Sequence, residues 1–276
     1  MDRRLTAANG RVADAALRGT VEAGRFVDGV LQEVDVPVAD LLAAPGGRRE
    51  RQVVLGAGVK VYETRDGWAF VQAVADGYVG YLPEASLRGP VAATHRVTAR
   101  TTHLYPEADF KAHELASLSF GSRVRVLDEG ARFVETDRGF VPKAHVAPLE
   151  ALERDPVAVA ERFLGTPYLW GGNSGFGIDC SGLVQAACDA CGIACPGDSD
   201  MQEAGLGADL GNKAVRRGDL LFWKGHVAWV ADEATILHAN VYHMAVAFEG
   251  LDAALERIEE QGDGGMTARK RLEDFG

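Results

Sequence analysis

The first 179 residues contain no cysteine; Cys180, Cys188, Cys191 and Cys195 all fall in one short window. A secreted disulfide framework spreads its pairs along the chain, so that organisation is excluded. No stretch reaches the roughly 18 consecutive apolar residues of a membrane-spanning helix. The start, Met1-Asp2-Arg3-Arg4-Leu5-Thr6, has neither an apolar h-region nor a small-residue cleavage site. An unprocessed N-terminus and a cytoplasmic protein are therefore expected. Positive charge is also scarce: 29 Lys and Arg face 40 Asp and Glu, for a formal charge of −11. This argues against nucleic acid, anionic membranes and anionic wall polymers as main partners.

What is present suits a folded, turn-rich protein. An apolar fraction of 47% supplies a core, and 276 residues suggest about two domains. The 33 glycines and 10 prolines fit short-strand β modules. Metal ligation by Cys188-x-x-Cys191-x-x-x-Cys195 is a rival reading of the cysteine cluster, but no His-rich neighbour completes a tetrahedral site. If the helix there continues, steps of three and four residues put these thiols on one face, as small buried hydrophobes.

Two segments before residue 150 read alike. One contains Leu55-Gly56-Ala57-Gly58-Val59-Lys60-Val61 and ends Gly80-Tyr81-Leu82-Pro83-Glu84-Ala85. The other contains Phe120-Gly121-Ser122-Arg123-Val124-Arg125-Val126 and ends Gly139-Phe140-Val141-Pro142-Lys143-Ala144. In each, a glycine turn precedes an alternating strand, and an aromatic-led strand follows (Trp68, Phe133). Such alternation predicts half-buried strands, and close spacing predicts two small barrels, over 31–90 and 91–149. Residues 1–30 carry Val12, Ala15, Ala16 and Leu17 among repeated glycines, which predicts a short helix or an extended arm. Residues 150–276 form the next domain, entered through a helix with Asp155 as N-cap and Pro156 at its first position.

That last domain carries the chemistry. Cys180 follows a glycine-rich loop and opens an apolar helix, where the helix dipole favours thiolate. His226 begins a strand and His238 lies in the next. A tight hairpin brings them to roughly opposite positions, so one histidine faces the thiol and the second holds its ring. Trp170 is expected in the core. The stripe Leu251, Ala254, Leu255 and Ile258 predicts a structural helix, and Met266 to Leu272 a last strand or tail.

The ordered blocks Pro167-Tyr168-x-Trp170-Gly171-Gly172, Asp179-Cys180-Ser181-Gly182-Leu183, Gly218-Asp219-Leu220-Leu221-Phe222, Gly225-His226-Val227-Ala228 and Ile236-x-His238-Ala239 resemble the NlpC family of papain-like cysteine peptidases. The upstream pair resembles bacterial SH3-like domains. The resemblance implies an α+β architecture: two SH3-like barrels, then a papain-like domain with a helix-borne cysteine packed on an antiparallel sheet. It implies Cys180 as nucleophile, His226 as general base and acid, and His238 as the orienting third residue. Tyr168 takes the position of a tyrosine near the oxyanion. Asp179 and Ser181 take positions that help hold the free amino group of an N-terminal L-alanine. Gly197 stands where arginine is common in the family, which removes any carboxylate contact made by that arginine.

The implied activity is hydrolysis of the γ-D-glutamyl–diamino acid bond in small murein peptides during cell-wall peptide recycling, with barrels that narrow the site and with no metal or organic cofactor. A cysteine-dependent amidase or acyltransferase on another amide or ester, and a non-catalytic wall-fragment binding module, are the alternatives.

Overall fold

A computed structural model describes residues 1–262 and 264–272. The chain divides into two compact units, Met1–Leu149 and Glu150–Gly276.

In the first unit, strands between Val30 and Arg88 form a seven-stranded sheet, and strands between His95 and Pro148 form three smaller ones. The sequence repeat reappears as repeated local structure. Gly56 and Gly121 both hold positive φ, and Pro83 and Pro142 each lead into a single 3₁₀ turn, Glu84–Ser86 and Lys143–His145. The two repeats share a core: Leu55 packs among Val97, Leu104, Leu118, Val124, Val134 and Val141. The Arg123 N–H donates to the Leu55 carbonyl at 2.8 Å. Arg88 joins them electrostatically, reaching buried Glu33 at 2.6 Å and Asp137 at 2.7 Å, so that little carboxylate charge is left uncompensated. The N-terminal segment makes no α-helix. Val12–Asp14 pairs in parallel with Arg25–Val27, and Ala15–Leu17 is one 3₁₀ turn capped by Asp14. Ala7 and Val12 are buried against Tyr62, Phe70 and Val79, which offsets the weak helix propensity of this glycine-broken stretch.

The second unit begins with α1 (Pro156–Glu161). The Asp155 carboxylate accepts the N–H groups of Val157 and Ala158, and Pro156 opens the helix. Next come α2 (Cys180–Ala190) and α3 (Ser199–Gly205). A six-stranded antiparallel sheet follows: β1 (Ala208–Asp209), β2 (Asp219–Trp223), β3 (His226–Asp232), β4 (Thr235–Asn240), β5 (Ala245–Gly250) and β6 (Ala268–Arg271), in the order β1-β6-β2-β3-β4-β5. The apolar stripe of α4 (Leu251–Glu260) packs Ala254 and Ile258 on Leu221, Trp223, Ala228, Val230 and Ile236. Asp219, almost wholly buried, is neutralised by two 2.7 Å bonds from Arg271 on β6.

The cysteine cluster departs from the expected continuous helix. α2 stops at Ala190, and Gly192 takes positive φ. The chain then folds back, so Cys195 reaches Cys188 from outside the helix. All four thiols are buried and unbridged.

Candidate active site

The nucleophile end is built by the glycine loop. Asp179 adopts extended backbone and caps α2: its Oδ1 accepts the Gly182 N–H at 2.7 Å and the Ser181 hydroxyl at 3.0 Å. Its Oδ2 accepts the Gly171 N–H at 2.8 Å. One carboxylate thus fixes both the loop and the first turn of the helix. Glycine at 182 is a steric requirement, because a Cβ there would lie 2.3 Å from the Gly172 carbonyl oxygen. Cys180 is the first residue of α2 and is 7% exposed. Its Sγ lies 4.0 Å from the Gly225 carbonyl oxygen and also meets the Val227 N–H, so the sulfur touches the backbone on both sides of His226.

The histidines follow from strand register. Trp223 pairs with His226 across the two-residue turn Lys224-Gly225, with Gly225 at positive φ. Trp229 pairs with Leu237, so His238 stands diagonal to His226 on the same face. The His226 Nε2 and His238 Nδ1 atoms are 2.9 Å apart. His238 is fully buried, and its Nε2 lies 3.0 Å from Glu249 Oε2. Glu249 is in turn diagonal to His238 across β4 and β5, since His238 pairs with Ala247. Arg257, from the polar side of α4, donates to both Glu249 oxygens at 2.8 Å and stacks its guanidinium on Tyr242.

Burial dominates the protonation states. It pushes the Cys180 thiol up to about 12, helped by the Asp179 carboxylate and opposed by the N–H groups of Val227, Ser181 and Cys180. It pushes His226 down to about 3, with His238 and Arg257 adding to the effect and Glu249 opposing it. It pushes His238 down to about 4 against the pull of Glu249. The resting site therefore holds a neutral thiol and neutral imidazoles. These directions run against a standing thiolate at the helix N-terminus in the absence of a charged partner: burial of the sulfur raises the thiol, and the adjacent Asp179 carboxylate works the same way. A thiolate is favourable here only when an imidazolium forms with it, so the two charges stabilise each other.

The other expected residues are placed as follows. Tyr168 is half-buried; burial raises its phenol, with Cys180 and Asp179 as the next causes, which puts it in the electrostatic reach of the nucleophile. The Ser181 hydroxyl is turned to Asp179, and its carbonyl accepts from Gln202, a fully buried side chain. Trp170 is not a core residue: it is 71% exposed. Two partly buried groups lay outside the sequence reading: Glu249 and Arg257. Only the strand register and the docking of α4 bring them in, and no local motif marks them.

His238, His243 and Glu249 also bring potential metal-ligand atoms within 4.8 Å of one another. Arg257 already occupies both carboxylate oxygens, and a guanidinium at that distance repels a cation. Ion pairing accounts for the cluster.

Comparison with known proteins agrees with this geometry. Residues 165–255 match the NlpC/P60 family, and residues 41–87 match the bacterial dipeptidyl-peptidase Sh3 domain. A protein of Bacillus subtilis named gamma-D-glutamyl-L-lysine dipeptidyl-peptidase is 30% identical over 210 residues, which span 70% of this chain and 69% of that protein. A protein of the same name from Bacillus cereus is 28% identical over 225 residues, 69% of this chain and 67% of that protein. The crystal structure of an NlpC/P60 family protein from Bacillus cereus superposes with a TM-score of 0.74 at 23% identity, covering 88% of this chain and 99% of the other, and so shares the fold. A cysteine opening a helix, a histidine pair on a hairpin and this similarity together establish that the chain belongs to the NlpC/P60 family of cysteine peptidases.

Proposed function

We propose that this cysteine peptidase hydrolyses the γ-D-glutamyl–diamino acid bond of murein peptides two residues from a free N-terminus, releasing L-Ala-γ-D-Glu. The observation that carries the reading is the position of the Cys180 sulfur against the backbone flanking His226, whose ring is chained to His238. The relatives named for γ-D-glutamyl-L-lysine dipeptidyl-peptidase activity supply the substrate class.

Substrate entry aligns the γ-carbonyl carbon of D-glutamate with Sγ. His226 takes the thiol proton as the S–C bond forms, which creates thiolate character and imidazolium in one event. The carbonyl oxygen becomes an oxyanion, stabilised by the Cys180 N–H and the Tyr168 hydroxyl. The imidazolium then gives its proton to the departing amine of the diamino acid, and the C–N bond breaks to leave a thioester. Water, deprotonated by His226, attacks that thioester; the protonated thiol returns and the dipeptide leaves. Asp179, with both oxygens committed to the loop and the helix cap, serves chiefly to hold this geometry. A role in recycling released peptides within the cytoplasm agrees with four unbridged thiols, two of them in contact.

The reading is tested with three peptides: L-Ala-γ-D-Glu-L-Lys, its N-acetyl form and its α-linked isomer. Cleavage confined to the first supports it. Equal cleavage of the α-linked isomer, or none of the three by enzyme with a titratable Cys180 thiol, refutes it.

A further inference from the structure

We propose that Glu249, clamped by Arg257, is a positioning residue that dictates the tautomers of both histidines and leaves His226 Nδ1 as the bare base for Cys180. The inference rests on the cysteine-peptidase reading above. It begins with Glu249, whose two oxygens each accept from Arg257 at 2.8 Å. Burial alone works against its charge, yet Arg257 and His238 hold its carboxyl below the usual range, so it is ionised. An ionised carboxylate only accepts hydrogen bonds. At 3.0 Å, His238 Nε2 must therefore donate to it.

A neutral imidazole has a single N–H. With that proton on Nε2, the Nδ1 of His238 carries a lone pair and accepts. Across the 2.9 Å contact, His226 Nε2 must then be the donor. Neutral His226 has no second proton, so its Nδ1 is unprotonated and is the one ring nitrogen not engaged by His238. Without an obligate acceptor at 249, the N–H···N contact could run in either direction. The reverse direction places the proton on His226 Nδ1 and removes the base.

The same carboxylate acts once the reaction starts. Around His226 the charged and titratable groups are His238, Arg257 and Glu249, with the Cys180 sulfur against the flanking Gly225 and Val227 backbone; around His238 they are His226, His243, Arg257 and Glu249. Among these groups of the described residues, Glu249 is the carboxylate common to both histidines. It favours the imidazolium that Arg257 and the second histidine disfavour.

The test uses the full chain with Glu249→Ala and Glu249→Gln. Glu249→Ala is expected to lower kcat on L-Ala-γ-D-Glu-L-Lys by about tenfold or more, with KM within about threefold. The pH limb for iodoacetamide alkylation of Cys180 moves upward, because the thiolate loses support for its partner cation. Glu249→Gln keeps an acceptor oxygen and recovers part of kcat. Independently of any variant's folding, ¹⁵N NMR of histidine-labelled wild-type protein should show both His226 and His238 protonated at Nε2. A signal for His226 protonated at Nδ1, or a folded Glu249→Ala variant with unchanged kcat and alkylation profile, overturns the proposal. Cys180→Ala separates the two levels. If it abolishes turnover while Glu249→Ala behaves as wild type, only the positioning role fails; if it retains turnover, the peptidase assignment itself fails.

Discussion

Lowering the pH from 8 to 5 should destabilise the catalytic unit by an amount set by two buried histidines. His226 and His238 are depressed from 6.5 to about 3 and about 4. The unfolded chain therefore binds protons in a range where the folded chain cannot. Folding stability is complete above pH 6.5 and is lost as pH falls through the window toward the folded-state values. Between pH 6.5 and 5 each histidine costs about 1.36 kcal/mol per pH unit, or about 2 kcal/mol, and the pair about 4 kcal/mol. That is a large share of a typical stability of about 5–15 kcal/mol. Carboxylates depressed in the folded state, such as Glu249, add their own loss only at lower pH, near and below 4.5. Stopping at pH 5 keeps the two effects apart. Urea unfolding followed by tryptophan fluorescence, which samples the buried Trp223 and Trp229, measures the loss. His238→Gln removes one titration. Whatever its stability at pH 8, its further loss on going to pH 5 should be smaller than that of wild type by about 2 kcal/mol. Equal losses in the two proteins would refute the argument that buried neutral imidazoles form the site.

Two further outcomes concern the nucleophile loop. Gly182→Ala drives a methyl into the Gly172 carbonyl oxygen at 2.3 Å and should cost about 3 kcal/mol, seen as a lowered Tm together with reduced turnover; an unchanged Tm contradicts the close approach of helix and loop. Asp179→Asn keeps an acceptor oxygen for the helix cap but removes the charge that raises the Cys180 thiol, so the alkylation rate of Cys180 should rise at a lower pH than in wild type. A limb that stays in place, or moves up, shows that Asp179 does not act electrostatically on the sulfur.

Local chemistry was legible in the sequence, and long-range assembly was not. Asp155-Pro156 announced its helix because a cap and a proline act within one turn, and the structure has both. The parallel endings at Pro83 and Pro142 were visible because identical short motifs take identical backbone paths. Cys180, His226 and His238 stood out because a glycine loop, a helix start and two adjacent strands lie close in sequence. The protonation states could not be read, since they depend on how deeply the sheet buries Cys180 and His238. Helix α4 looked merely structural because its apolar stripe dominates; the role of Arg257 appears only when the helix docks and the guanidinium meets Glu249, eight residues upstream. The expected helix face of cysteines failed at Gly192, where a positive φ ends α2. The shared core of the two repeats was invisible for a similar reason: Leu55 reads as part of the first repeat, and only tertiary packing places it in the second.

The central claim is that the Cys180 thiol, with the proton held by His226, opens a γ-D-glutamyl amide. Product analysis by mass spectrometry, with wild-type and Cys180→Ala protein incubated side by side with L-Ala-γ-D-Glu-L-Lys, examines it most directly. The account predicts free lysine and L-Ala-γ-D-Glu from the wild type and an intact tripeptide with the variant. Intact tripeptide in both, or the same two products in both, contradicts it.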